Sequence, residues 1–131
     1  MDWRATYTSK ITTAEEAIKA IKSNSRVVLG HAAGIPVDTV RALVAAKDSY
    51  KNVEIVHMYC LGAGEYLTKE MEGHFRHNAL FVGGNARKAI EERRADYTPC
   101  FFHEIPRLFT NGSLDADVAL IQVSRPNEEG Y

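Results

Sequence analysis

The chain is poor in cysteine. It has two in 131 residues, Cys60 and Cys100, far apart and outside any C-x-x-C pair. That excludes a small disulfide-built scaffold and a zinc ribbon, and it suits a reducing, cytoplasmic setting. No apolar run approaches the roughly 20 residues that a membrane-spanning helix needs. The opening M-D-W-R-A-T-Y lacks the apolar core of a secretory signal. Neither charge dominates: 16 basic residues stand against 17 acidic ones, a formal net charge of −1. Composition therefore makes no general case for nucleic acid or for an anionic membrane as partner. Internal repeats and low-complexity stretches are also lacking. What is present is 45% apolar and 25% charged residues, the balance of one soluble globular domain able to bury a core.

The most informative stretch is 26–36, R-V-V-L-G-H-A-A-G-I-P. Val27, Val28 and Leu29 form a short β-branched and aliphatic run that predicts a buried strand. Gly30 and Gly34 bracket a turn in which backbone can take conformations that a Cβ disfavours. Pro36 fits the first position of a following helix, where a missing N–H costs nothing. In open α/β sheets such strand-to-helix turns sit at the strand ends where ligands bind.

Around that stretch the chain alternates helix and strand. Trp3 and Tyr7 have the spacing of one helical face and are expected to pin the N-terminus to the body. Thr12 or Thr13 caps a helix with Glu15 and Glu16 in its first turn, and Ala14, Ala17, Ile18 and Ile21 face inward. A second helix is expected over 37–46, with Val40, Leu43 and Val44 as its apolar stripe. A strand over 53–58 follows, with Val53, Ile55 and His57 on one face. It enters the turn Leu61, Gly62, Ala63, Gly64, after which 65–73 reads as a short helix. Residues 79–82 predict a third strand, then Gly83 and Gly84, and a helix over 86–94 whose charges form a solvated face. Residues 97–102 are extended, with Pro99 marking an edge or bend. A short helical turn follows over 105–109. The last strand, 117–123, is close to continuously apolar and is expected to be buried on both faces. This pattern predicts an α/β fold: an open, mostly parallel sheet flanked by helices.

Each candidate site residue has two readings. A partial G-x-G such as Gly62 with Gly64 is weak evidence for a dinucleotide, and each glycine alone reads as a tight turn. Three such turns after three strands, at Gly30, Gly62 and Gly83, would share one sheet edge if the sheet is parallel, with backbone N–H groups facing a ligand. His31 either hydrogen-bonds a substrate carbonyl or carboxylate or bonds nearby backbone. His57 belongs to strand packing. His74 and His77 have a zinc-like spacing but no third ligand nearby, so they read as a solvated loop and no metal is expected. His103 and Glu104 read as an acid–base pair or, more simply, Glu104 reads as a cap. Arg87, beside Asn85, grips an anion or pairs with Glu91 one turn on. No nucleophile elbow is legible.

Taken in order, G-H-A-A-G-I-P, V-E-I-V-H-M with L-G-A-G-E-Y, F-V-G-G-N-A-R-K-A-I, Y-T-P-C-F-F-H-E-I-P and D-V-A-L-I-Q-V-S-R-P-N-E-E-G-Y resemble the N-terminal half of the acetyl-CoA hydrolase/transferase family, a class I CoA-transferase family. The resemblance covers nearly the whole chain. It implies two similar α/β domains with the active site between them, coenzyme A as co-substrate and no permanently bound cofactor. The expected partners are a short-chain acyl-CoA, a short carboxylate and a second, C-terminal domain, with homo-oligomer formation open. It also implies a glutamate that attacks the thioester, an acyl-glutamyl anhydride, a glutamyl-CoA thioester and transfer of CoA to the acceptor carboxylate. Nothing here matches the motif of that glutamate, so no catalytic residue is expected in this chain, and Glu65, Glu70 and Glu104 do not replace it. The resemblance assigns substrate-lining roles to Gly30, His31, Gly34, Ile35 and Pro36 in the first turn. It assigns the same to Met58, Gly62 and Gly64 in the second, and to Gly84, Asn85 and Arg87 in the third. An acyl-CoA hydrolase of the same family and a non-catalytic α/β ligand-binding module are the alternatives.

Overall fold

The computed structural model describes residues 2–62 and 64–131; Met1 and Ala63 lie outside the described residues. The sheet is built outward from β1 (Arg26–Leu29), where the β-branched run favours extended backbone. β2 (Val53–His57) pairs on one side of β1, followed by β3 (Phe75–Ala79) and β4 (Ala95–Tyr97). β5 (Val118–Leu120) pairs on its other side, which gives the order β4-β3-β2-β1-β5. Every pairing is parallel.

One face of the sheet carries the main core. Val27, Leu29, Val53, Ile55, Phe75 and Ala95 pack there with Ile18, Ile21, Val40, Leu43 and Ala89. Ile18 lies in the 3-10 turn Ile18–Ala20 that continues α2 (Ala14–Ala17), Ile21 caps that turn, Val40 and Leu43 lie on α3 (Val37–Ala45), and Ala89 lies on α4 (Arg87–Glu91). Thr13 caps α2 by accepting from the Glu16 N–H at 3.3 Å. The buried Tyr50 hydroxyl donates to the Ile18 carbonyl at 2.9 Å, which ties the end of α2 and its 3-10 continuation to the segment before β2.

The opposite face is covered mainly near the carboxyl ends of the strands. There Val56 and Leu80 meet Ile105 of α5 (Ile105–Thr110) and Leu114. Towards the amino ends the same face carries polar side chains that bond across the strands. Arg26 pairs with Glu54. Asn78 donates to the other Glu54 oxygen at 2.9 Å, and Thr98 donates to the Asn78 side-chain oxygen at 2.8 Å. Arg76 and Asp96 pair beside them, about half exposed.

The structure corrects several sequence expectations. The third strand is Phe75–Ala79, not 79–82. Its pattern F-R-H-N-A hides a strand because the polar members find partners across the sheet: Asn78 bonds Glu54, and His77 Nδ1 meets the Ile55 carbonyl at 2.8 Å. His77 is therefore buried rather than in a solvated loop, and His74 Nδ1 meets the Tyr50 carbonyl at 2.9 Å. The A-L-F-V run begins where the ladder ends. Leu80 enters the second core, and Phe81 points outward. The last strand pairs over three residues and lies at the sheet edge, so Ile121 and Val123 are 62% and 69% exposed instead of buried on both faces.

Residues 65–73 form two 3-10 turns, Glu65–Leu67 and Lys69–Met71, rather than a helix. α4 spans five residues. Arg94 beyond it is mostly buried, bonded to the Leu67 carbonyl and Glu92, so the charged run is not wholly a solvated face. Pro36 is the N-cap of α3 and not its first helical residue. Finally, α1 (Trp3–Lys10) buries no residue, and it meets the chain's tail rather than the sheet. Arg4 donates to the Glu128 carbonyl at 2.8 Å, and the Trp3 ring lies against Gly130.

The cross-strand polar bonds predict a graded response. Glu54→Ala leaves the half-buried Arg26 and the buried Asn78 without their shared acceptor and should cost about 2 kcal/mol. Arg76→Ala, at an exposed pair, should cost less than about 1 kcal/mol. Urea denaturation of the two variants checks this; equal losses would show that the ladder contributes no more than the surface pair.

Candidate functional site

In a parallel sheet the loops after β1, β2 and β3 all leave from one edge, and here they are joined to one another. The Ala32 N–H donates to the Tyr59 carbonyl at 2.8 Å, and Ala32 and Cys60 form an isolated parallel bridge. The Met58 N–H donates to His31 Nδ1 at 3.2 Å. The Asn85 amide nitrogen lies 3.4 Å from the Cys60 carbonyl oxygen and 3.3 Å from that of Gly62. The first loop is thus tied to the second, and the second to the third. Two glycines are required by this closeness. A Cβ at position 30 would fall 2.3 Å from the Gly34 carbonyl oxygen, and Gly64 sits in the left-handed region at φ 63°.

Of the two readings of His31, the bond to nearby backbone is the one observed. Its Nδ1 accepts from Met58, so the ring proton of the neutral form lies on Nε2. Burial pushes its pKa down, which favours that neutral form. Among the described residues Nε2 has no hydrogen-bond partner and remains a donor at the sheet edge.

The remaining candidates divide. Ile35, Gly62 and Gly64 line a cleft of 260 Å³, together with Arg41, Cys60 and Tyr66. Gly64 and Asn85 also line an adjoining 340 Å³ cleft. Met58 faces a third cleft on the other side of the loops. Gly30 and Gly34 shape the first turn through backbone closeness, and Pro36 is buried. Gly84 is exposed, and a Cβ there would meet nothing within 4 Å. Arg87 is exposed and, among the described residues, forms no ion pair with Glu91 or any other carboxylate. Glu104 acts as a cap: its carboxylate accepts from the Phe101 N–H at 2.9 Å. No cluster of metal-ligating residues occurs among the described residues.

Two features escaped the sequence reading. The first is a 460 Å³ apolar cleft lined by Met58, Tyr59, Leu80, Phe81, Cys100, Phe102 and Ile105. The adjacent pairs L-F at 80–81 and F-F at 101–102 were its signal, since both depart from the alternation of a strand. The second is a buried polar cluster beneath the second loop. His57 Nε2 lies 2.6 Å from the Tyr66 hydroxyl, and the His57 and His77 rings stack at 4.1 Å between centroids. His57 Nδ1 and His77 Nε2 are buried without a partner. Burial pushes the His57 pKa down to about 3, helped by His77 and His31. Burial likewise lowers His77, against the opposing effect of its Ile55 carbonyl contact, and raises Tyr66 and Cys60.

Comparison with known proteins now adds to this geometry. The family model described as acetyl-CoA hydrolase/transferase N-terminal domain matches residues 1–131. The chain is 56% identical to a 4-hydroxybutyrate coenzyme A transferase of Clostridium kluyveri over 131 residues, all of this chain and 30% of that protein. It is 37% identical to a succinyl-CoA:acetate/propanoyl-CoA:succinate CoA transferase of Fasciola hepatica over 119 residues, 89% of this chain and 24% of that protein. Among solved structures, a 4-hydroxybutyrate CoA-transferase of Porphyromonas gingivalis superposes with a TM-score of 0.76 at 32% identity. That match covers 98% of this chain and 28% of the other. The chain thus spans less than a third of the length of these relatives.

The buried imidazoles set a pH dependence. His57 and His77 have lowered pKa values in the fold, so unfolding takes up protons and stability falls as pH drops below the unfolded value of 6.5. From the values for His57 alone, the loss between pH 7.5 and pH 5 should be about 2 kcal/mol. Urea unfolding at the two pH values tests this; equal stabilities would show that the cluster is not buried as neutral rings.

Proposed function

The chain belongs to the acetyl-CoA hydrolase/transferase family, and from that premise we propose that the whole protein transfers coenzyme A between a short-chain acyl-CoA and a carboxylate of the 4-hydroxybutyrate, butyrate or acetate type. The observation that carries this reading is the 56% identity to a 4-hydroxybutyrate coenzyme A transferase along the full chain. In this proposal the nucleophile is a glutamate supplied by a C-terminal domain, and coenzyme A enters and leaves as co-substrate. Its carboxylate attacks the thioester carbonyl, and CoA leaves as thiolate. The thiolate then attacks the anhydride on the glutamyl side and releases the first carboxylate. CoA passes to the second carboxylate by the reverse sequence. Each step develops negative charge on a carbonyl oxygen, which fixed donors stabilise.

This chain would supply part of the cradle. The neutral His31 ring offers Nε2–H, and the joined loops after β1, β2 and β3 form one wall. The relatives' greater length supports a second domain. So do the exposed apolar side chains: Phe101 and Phe102 are 72% and 73% exposed beside the apolar cleft. Among the described residues no helix is long and apolar enough to cross a membrane. The two free cysteines support a cytoplasmic setting, which is part of this proposal.

The protein expressed from the whole gene should convert butyryl-CoA and acetate to acetyl-CoA and butyrate. His31→Ala should lower kcat/KM by about tenfold or more, the worth of one lost hydrogen bond in a dry site. Release of free CoA without exchange would favour the hydrolase alternative. If neither occurs while the isolated domain still binds CoA, the non-catalytic module gains.

A further inference from the structure

We propose that Asn85 is a positioning residue which holds the loop after β2 with its N–H groups outward, so that this loop seats an acceptor oxygen of the ligand, a thioester carbonyl or a carboxylate. The proposal deepens the functional reading above and rests on it for the ligand class. It also revises the role that resemblance assigned to Asn85, that of touching substrate.

Four carbonyls of this loop are already engaged by protein. Tyr59 O accepts from the Ala32 N–H and Gly64 O from the Leu67 N–H, each at 2.8 Å. Cys60 O and Gly62 O face the Asn85 amide nitrogen at 3.4 and 3.3 Å. That nitrogen has two N–H groups and meets two carbonyls, which leaves none for a ligand. The opposite orientation of the amide would put its oxygen against two carbonyl oxygens and is disfavoured.

With the acceptors turned inward, the donors are what remain. Among the described residues, the N–H groups of Gly62 and Gly64 have no protein acceptor. The exposed Gly62 N–H is open to solvent, whereas Gly64 is buried, and buried N–H groups are seldom left unpaired, so a solvent or ligand oxygen belongs there. Gly64 is itself left-handed, at φ 63°, ψ 48°. It lies where the 260 and 340 Å³ clefts meet, over a floor that includes Ile35 and Tyr66. The lining is mixed, with Arg41, Glu65, Lys69 and Lys88 beside Ile35 and Tyr66, and unpaired N–H donors there suit a short acyl chain that ends in an oxygen.

The test uses the protein expressed from the whole gene, with Asn85→Asp and Asn85→Ala. Asp keeps the size but faces the two carbonyls with an acceptor; Ala removes the tie. Each should raise the KM for butyryl-CoA about tenfold while kcat changes less than about threefold, and each should weaken calorimetric binding of butyrate by a similar factor. The Ala32 and Leu67 amides, whose acceptors lie in the loop, should exchange hydrogen faster, while the Val27 and Ile55 amides of the sheet should not. An unchanged KM and butyrate affinity, or faster exchange across the whole sheet, would overturn the proposal. If the wild-type protein transfers no CoA but binds butyrate, and the variants lose that binding, the transferase reading falls and the seat stands.

Discussion

Parallel pairing on both sides of β1 is the constraint from which the site follows. Each strand of a parallel sheet must be reached by a crossover, so the chain leaves each strand at the same edge and returns beneath it. Three consecutive departures, after β1, β2 and β3, therefore converge without any need for long-range attraction. One backbone bond and three side-chain contacts to backbone then hold them in register: Ala32 to Tyr59, His31 to Met58, Asn85 to Cys60 and Gly62. A rigid edge of this kind fixes donors before a ligand arrives, which reduces the entropy that binding must overcome.

The two faces of the sheet are unequal, and that inequality organises the rest. One face is sealed by α2, α3 and α4 over an aliphatic core, where two neutral imidazoles and a phenol are also enclosed. The other carries cross-strand polar bonds at one end and an open apolar cleft at the other. Parallel sheets are ordinarily covered on both faces. The half-covered face, with Phe101 and Phe102 outward, thus has the chemistry of a surface that meets further protein.

Much of this was legible in the residues. The V-V-L run gave β1, Val53 and Ile55 gave β2, and Thr13 with Glu15 and Glu16 gave the start of α2, because local pattern and tertiary packing agree there. The pattern failed where tertiary partners outweigh local preference. F-R-H-N-A became β3 because Glu54 and the Ile55 carbonyl satisfy its polar groups, and D-V-A-L-I-Q-V reads as interior although it lies at an edge. At the site, the glycines and His31 were visible as turn residues. The direction of Asn85 was not, since an amide's partners depend on loops separated by more than twenty residues.

The helix α1 offers a last consequence. It contributes nothing to either core and is held through Arg4 to the Glu128 carbonyl and through Trp3 to Gly130. The segments 3–10 and 128–130 are therefore mutual anchors. Loosening one releases the other, so helix and tail form a separate cooperative unit that opens at a lower free energy than the sheet.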